Sequence, residues 1–179
     1  MPVSLDGYIK GPDGTFDWAM PDVELHRFHN EQARATGVAL YGRGMYETML
    51  YWDAIDEGSD AGEVALDFAR VWKQTPKVVF STTLDEVRGA NTRLATGTVA
   101  EEIAALKAQP GDELAVGGAG LAASAIAAGL VDEYRLFLVP VIVGGGTPYF
   151  PPIDRRIDLE LVERRTFGAE VVYLRYRTR

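Results

Sequence analysis

The sequence predicts an α/β fold of three layers: a mixed, mostly parallel sheet flanked by helices, with an antiparallel hairpin at the C-terminal end. Three observations carry that expectation. Strand-like and helix-like segments alternate along the chain, several strand-like runs close in glycine or hydroxyl turns, and two period-two stretches flank Gly168. Alternation implies crossover connections, which leave neighbouring strands parallel. A short link between two alternating runs makes a hairpin instead. No repeat, linker or low-complexity tract divides the chain, so residues 1–179 read as one domain.

Val3 to Ile9 reads as a short strand entering the turn-rich loop Gly11-Pro12-Asp13-Gly14. Pro21 and Asp22 open a helix. Asp22 supplies its cap, Leu25, Phe28 and Gln32 with Ala33 its inward stripe, and Gly37 its end. Val38 to Tyr41 is a buried strand, Gly42-Arg43-Gly44 its turn, and a second helix starts at Met45. Glu63 to Trp72 sets Val64, Ala65, Phe68 and Trp72 on one helical face. Pro76 stops that helix, and Lys77 to Ser81 returns as a strand. Glu101 to Ala108 is helical, ended by Pro110-Gly111-Asp112. Glu113 to Val116 is a strand, Gly117 to Gly120 a turn, and an alanine-rich helix runs on to Gly129. Glu133 to Val143 is a long apolar strand, and Leu159 to Arg164 with Glu170 to Arg177 forms the hairpin.

Composition narrows the chemistry. Zero cysteines exclude disulfides, thiol nucleophiles, iron–sulfur clusters and thiolate-held zinc. The two histidines, His26 and His29, are too few for a histidine-rich metal site and read as surface residues, so no metal is expected. A net charge of −8 repels a nucleic-acid backbone. No stretch has the length of a membrane span, and the N-terminus lacks a signal peptide's pattern, which points to the cytoplasm.

Three strand ends carry the candidate chemistry. Gly117-Gly118-Ala119-Gly120-Leu121 follows a strand and opens a helix, where glycines let backbone N–H groups approach a pyrophosphate. A dinucleotide fingerprint would add an acidic residue about 20 positions later, and none stands around Leu138 to Val143. A phosphate site and a tight packing turn both remain open. Gly42-Arg43-Gly44 repeats the pattern with an arginine suited to a 2′-phosphate, or to a salt bridge with a carboxylate. Phe80-Ser81-Thr82-Thr83 puts hydroxyls at a strand's carboxyl end, where ligands of open α/β sheets sit.

Ser4-Leu5-Asp6-Gly7-Tyr8-Ile9, Tyr41-Gly42-Arg43-Gly44-Met45-Tyr46-Glu47, Lys77 to Ser81, Gly117 to Gly120, Ala128 to Glu133 and Pro140 to Phe150 occur in that order. Together they resemble the reductase domain of the bifunctional riboflavin-biosynthesis deaminase-reductase, within the dihydrofolate reductase-like superfamily. The free-standing bacterial members of that group are more similar still. The resemblance implies a dihydrofolate reductase-like fold and an NADPH-dependent reductase acting on a C=N or C=O bond of a pterin or pyrimidine. It also implies a homodimer and a small heterocyclic substrate, with no nucleic-acid or membrane partner. The adenosine phosphate would lie near Gly42, Arg43 and Gly44 with Ser81 and Thr82, and the pyrophosphate over Gly117 to Leu121. Ser4 would face the substrate, and Asp6, Asp22 or Glu24 would serve as the proton-handling carboxylate. Phe16, Trp18 and Phe150 read either as walls of the substrate pocket, since flat heterocycles stack on aromatics, or as plain core.

The chain departs from that pattern in three places. Only Met1-Pro2-Val3 precedes Ser4, and proline cannot donate to a central ladder, so the first strand is expected to be short or truncated. In Trp18-Ala19-Met20-Pro21-Asp22-Val23, valine stands where dihydrofolate reductases place a carboxylate, with Asp22 and Glu24 on either side. Asp22 then reads as a helix cap or as a proton relay. Dihydrofolate reductase and a non-catalytic NADP-binding or sensing protein are the alternatives. The zinc deaminase motif is missing from this chain.

Overall fold

The computed structural model describes residues 1–168 and 170–179. Its elements are β1 (Pro2–Ser4), β2 (Tyr8–Lys10), α1 (Val23–Arg34), β3 (Thr36–Gly42), α2 (Arg43–Met49), α3 (Glu63–Gln74), β4 (Lys77–Phe80) and β5 (Thr92–Leu94). There follow α4 (Val99–Lys107), β6 (Glu113–Gly117), α5 (Ala119–Ala127), β7 (Glu133–Val139), β8 (Thr147–Pro148), β9 (Leu159–Phe167) and β10 (Val171–Thr178). Two compact units result, one from Met1–Leu25 with Ala125–Arg179 and the other from His26–Ser124. The fold is mixed α/β as expected, but its main strands pair in two four-stranded sheets rather than one.

The His26–Ser124 unit carries an all-parallel sheet in the order β5-β4-β3-β6. Its core holds Ala39, Leu40, Tyr41, Tyr46 and Val79, so the central strands are apolar, as parallel strands covered on both faces must be. Lys77 is buried here. Its ammonium donates to the carbonyls of Trp72 (2.6 Å) and Thr75 (2.7 Å), satisfying the end of α3, and burial pushes its pKa down to about 8. The histidines are half-buried rather than fully exposed. His26 packs its ring against Trp52 and Phe68, and burial pushes His29 down to about 4.

The other unit carries the sheet β1-β7-β10-β9, in which β1 is parallel to β7 and the remaining pairs are antiparallel, plus the small ladder β2-β8. Val3, Ile126, Tyr134 and Leu136 form its core. Pro2 lies on an edge strand of this sheet, where its missing N–H costs no ladder bond, and β1 is short, at three residues, as expected.

Several boundaries differ from the sequence reading for local reasons. The first strand breaks into β1 and β2 at a turn in which the Gly7 N–H, at φ 92°, donates to Ser4. Gly37 does not end α1 but lies in β3, where a Cβ would come within 3.1–3.3 Å of Asp112. Pro140 stops β7 at Val139. The strands β5 and β8, of three and two residues, are too short to show a period.

Helix α4 starts two residues before its expected first residue, Glu101, because Thr98 caps it. The Thr98 side chain accepts the Glu101 N–H, and Glu101 returns a carboxylate to the Thr98 N–H (2.8 Å). Thr98→Ala should lower stability by about 1 kcal/mol, seen as an earlier urea midpoint with unchanged slope. Among the described residues, no helix is long and apolar enough to cross a membrane, and no group of acidic or histidine side chains could hold a metal.

Candidate functional site

Strand register brings the three candidate turns together. Gly42, the last residue of β3, is opposite Phe80, the last of β4, and Tyr41 is opposite Gly117, the last of β6. Because all three strands are parallel and adjacent, residues 42–44, 81–83 and 117–121 leave the same edge of one sheet. This is the edge at which open α/β sheets bind ligands.

The glycines of these turns differ in purpose. A Cβ on Gly117 would lie 2.8 Å from the Tyr41 ring and 3.2 Å from Met45, so packing alone requires this glycine. Gly118 has φ 95° and would press on Met45. Gly44 and Gly120, by contrast, have nothing within 4 Å of a Cβ position. Their bareness is not explained by a neighbour in the protein. The carbonyl of Gly118 accepts the Ala122 N–H, which opens α5 and leaves the preceding N–H groups without intrahelical partners. Leu121 is buried.

Arg43 is half-exposed and pairs with Glu47 four residues on (2.7 Å), while a second nitrogen donates to the Thr83 hydroxyl (2.8 Å). The salt bridge that the sequence left open is therefore present. It is an exposed pair, of the kind worth little in water and readily exchanged. Ser81 accepts the N–H groups of Thr83 and Leu84 (3.1 Å each), fixing the turn, and Thr82 is exposed. Glu47 was not singled out in the sequence, although its i,i+4 spacing from Arg43 was readable.

The remaining candidates lie in the other unit. The Asp6 carboxylate accepts the N–H groups of Gly144 (2.8 Å) and Val143 (3.2 Å), and so ties the β1–β2 turn to the glycine loop 144–146. A hydrogen bond from Ser4, then those backbone bonds, hold Asp6 below the usual carboxylate range. Ser4 itself is fully buried, its hydroxyl committed to Asp6 and to the Tyr8 N–H (2.9 Å). Asp22 accepts the Leu25 N–H (2.8 Å), the cap the sequence offered as one reading. Glu24 is exposed and meets the Gly168 N–H at 3.4 Å. Phe16 is exposed beside the Lys10 ammonium, Trp18 is half-buried with its indole N–H unpartnered, and Phe150 packs on Tyr134 and Tyr149 while staying 44% exposed. Missing from the sequence reading was the Asp6 latch, because its partners are backbone groups 137 and 138 residues away.

Comparison with known proteins agrees with this architecture. Uncharacterized protein YyaP of Bacillus subtilis (strain 168) is 34% identical over 180 residues, covering 97% of this chain and 90% of YyaP. A Shewanella sp. PV-4 protein provisionally described as a riboflavin biosynthesis protein superposes with TM-score 0.79 at 22% identity, covering 100% of this chain and 96% of that one. A pyrimidine reductase-like protein of Corynebacterium diphtheriae gives 0.70 at 15% identity, covering 99% and 89%. Dihydrofolate reductase of Enterococcus faecalis, solved with NADP(H), gives 0.60 at 18% identity, covering 99% and 92%. The fold is thus dihydrofolate reductase-like. Residues 1–173 match the model of the RibD C-terminal domain, and the chain belongs to that family.

Proposed function

We propose that the protein is an NADPH-dependent reductase that delivers hydride to a C=N or C=O bond of a pterin- or pyrimidine-type heterocycle, in the manner of 5-amino-6-(5-phosphoribosylamino)uracil reduction in riboflavin biosynthesis. The observation that carries this reading is the alignment of three turns on one edge of a parallel sheet. Family membership and the pyrimidine reductase-like and dihydrofolate reductase neighbours support it.

The donor set fits a phosphorylated dinucleotide. Backbone N–H groups from Gly118 to Leu121 would hold the pyrophosphate at the positive end of α5. Arg43 would exchange Glu47 for the 2′-phosphate, whose higher charge makes the stronger hydrogen-bonded pair. Gly42, Gly44, Ser81 and Thr82 would shape the surface around it. When bound, the cofactor supplies the hydride. Phe16, Trp18 and Phe150 would offer aromatic faces to a flat substrate ring, and Ser4 would keep Asp6 and its loop in place. Of the three candidate carboxylates, Asp6 and Asp22 each accept a 2.8 Å backbone bond, whereas Glu24 has only the 3.4 Å contact. Glu24 would therefore carry the proton to the reduced atom. The enzyme would act as a cytoplasmic homodimer on a small molecule.

Tryptophan fluorescence during NADPH and NADH titrations tests the cofactor. Arg43→Ala should weaken NADPH about tenfold, the scale of one charge-assisted contact, and leave NADH unchanged. Equal losses for both would remove Arg43 from the 2′-phosphate. Val23, 60% exposed where dihydrofolate reductases carry a carboxylate, favours a second reading as a non-catalytic NADP binder. NADPH oxidation with dihydrofolate, and with the ribosylamino-pyrimidine, separates the two: turnover of either substrate excludes the binder.

A further inference from the structure

A cavity of about 630 Å³ opens in the unit formed by Met1–Leu25 and Ala125–Arg179. It lies between the last turn of α5, the start of β7, residues 155–158 and the end of β10. Ser4 pairs with Val139, so the Asp6 turn leaves at the far end of β7. Tyr134, in the cavity wall, stands five residues earlier, roughly 16 Å along the strand. The cavity is therefore separate from the Asp6 loop.

Its wall is mostly polar, with a smaller apolar part, and two of its polar groups, Tyr134 and Arg155, bear on ligand binding. Ile126, Val131 and Ile157 supply the apolar part. Tyr134 is only 4% exposed, and its hydroxyl has no hydrogen-bond partner among the described residues. The oxygen itself is not sealed off, so it opens on the cavity and can donate to a ligand there. Burial of the side chain raises its pKa, against the nearby Arg155 charge, so the phenol stays a donor.

Arg155 donates once, to the Ile126 carbonyl (2.9 Å), and forms no ion pair among the described residues. Gly129, at φ 69°, leaves room for this guanidinium, since a Cβ there would come within 3.1 Å of it. Capping α5 explains that one bond. It does not explain the remaining donors of the guanidinium or the unpartnered phenol. Of the neighbouring charges, Arg156 pairs with Asp158 (2.7 Å) and Asp132 has its own partner, while Arg179 adds a further guanidinium to the wall.

We propose that this cavity binds a small anion with a compact apolar body, a phosphomonoester or carboxylate, through the Arg155 guanidinium and the Tyr134 hydroxyl, with its body against Ile126, Val131 and Ile157. The site is independent of the cofactor reading.

The test is an amide NMR titration of the ¹⁵N-labelled full chain with phenyl phosphate and, separately, inorganic phosphate. Phenyl phosphate should give saturable shifts centred on Gly129, Val131 and Tyr134. Arg155→Gln keeps a donor for Ile126 but loses the charge, and should weaken binding about tenfold. Tyr134→Phe removes only the hydroxyl and should weaken it about threefold. NADPH titration of Arg155→Gln should match the wild type. Absence of saturable shifts, or an unchanged affinity in Arg155→Gln, overturns the proposal. Inorganic phosphate binding as tightly as phenyl phosphate would overturn the apolar half and assign the site to the free ion.

Discussion

Glu133→Gln should cost about 3 kcal/mol of stability at neutral pH, the scale expected when one member of a largely buried ion network is removed. Glu133 is 18% exposed and faces three guanidinium groups. Arg175 reaches it at 2.7 and 3.0 Å, Arg135 at 2.9 Å and Arg177 at 3.3 Å. The registers Arg175↔Arg135 and Arg177↔Glu133 between β10 and β7 put these groups on one face of the sheet. Glutamine keeps the shape and one acceptor oxygen. It leaves three like charges together, two of them on half-buried side chains. Urea unfolding measures the loss. The exposed pair Arg70–Glu57 is the control, and Glu57→Gln should change stability little. A loss under about 1 kcal/mol in Glu133→Gln would mean the network is no better than that surface pair.

The same residue fixes part of the acid response. Burial alone would raise the Glu133 pKa, but hydrogen bonds from Arg175 and Arg135 outweigh it and hold the group at about 2. A carboxylate whose folded pKa lies below its unfolded value stabilises the protein above that unfolded value, 4.5 here. The contribution drains away as pH falls from 4.5 toward 2. Glu102 is held at about 2 by Arg93 and the Thr96 backbone, and titrates in the same window. Glu133→Gln should therefore flatten the acid limb of stability against pH without abolishing it. The residual slope belongs in part to Glu102.

What the sequence made legible follows from the range of the forces involved. Local signals held well: Glu63 to Trp72 proved helical, Lys77 to Phe80 a strand, and Gly168 lies at the β9–β10 turn. Each depends on residues within one or two turns of chain. The partition of strands into two sheets was not legible, because strand pairing depends on partners such as Val3 and Leu138, 135 residues apart. Nor was the start of α4. Thr98 announces a cap only once Glu101 is read as its reciprocal partner rather than as the first helical residue.

The site divides in the same way. Glycine turns after strands were visible as motifs, and the register of β4, β3 and β6 accounts for their meeting. Their separate purposes were not visible: Gly117 answers to the Tyr41 ring, while Gly120 faces open space. Asp6 was readable as an acidic residue in a turn. Its task of holding the backbone of Val143 and Gly144 was not, because backbone acceptors and donors leave no mark in the residue code.

That latch leads to the second large effect, in the run Gly144-Gly145-Gly146. All three have positive φ (77°, 146° and 114°), yet their substitutions should differ sharply. Gly144 has open space around its Cβ position, so Gly144→Ala adds only the strain of a left-handed conformation, about 1 kcal/mol. Gly145 would meet only Pro12, at an ordinary 3.6 Å. At Gly146 a Cβ would lie 2.1 Å from the Lys10 carbonyl oxygen and 2.6 Å from Gly11. Those are backbone atoms of β2 and the residue after it, and they cannot swing aside as a side chain can. Gly146→Ala should cost about 4 kcal/mol or more, combining strain with displaced backbone, and should release the β2–β8 pairing next to it. Amide exchange at Tyr149, whose N–H donates to Gly7, would report that release. Matched losses in Gly144→Ala and Gly146→Ala would show that conformation alone, and not the approach of β2, demands glycine here. A larger loss at Gly146, with Asp6 unchanged, would make the close approach of two backbones the reason this loop has its shape.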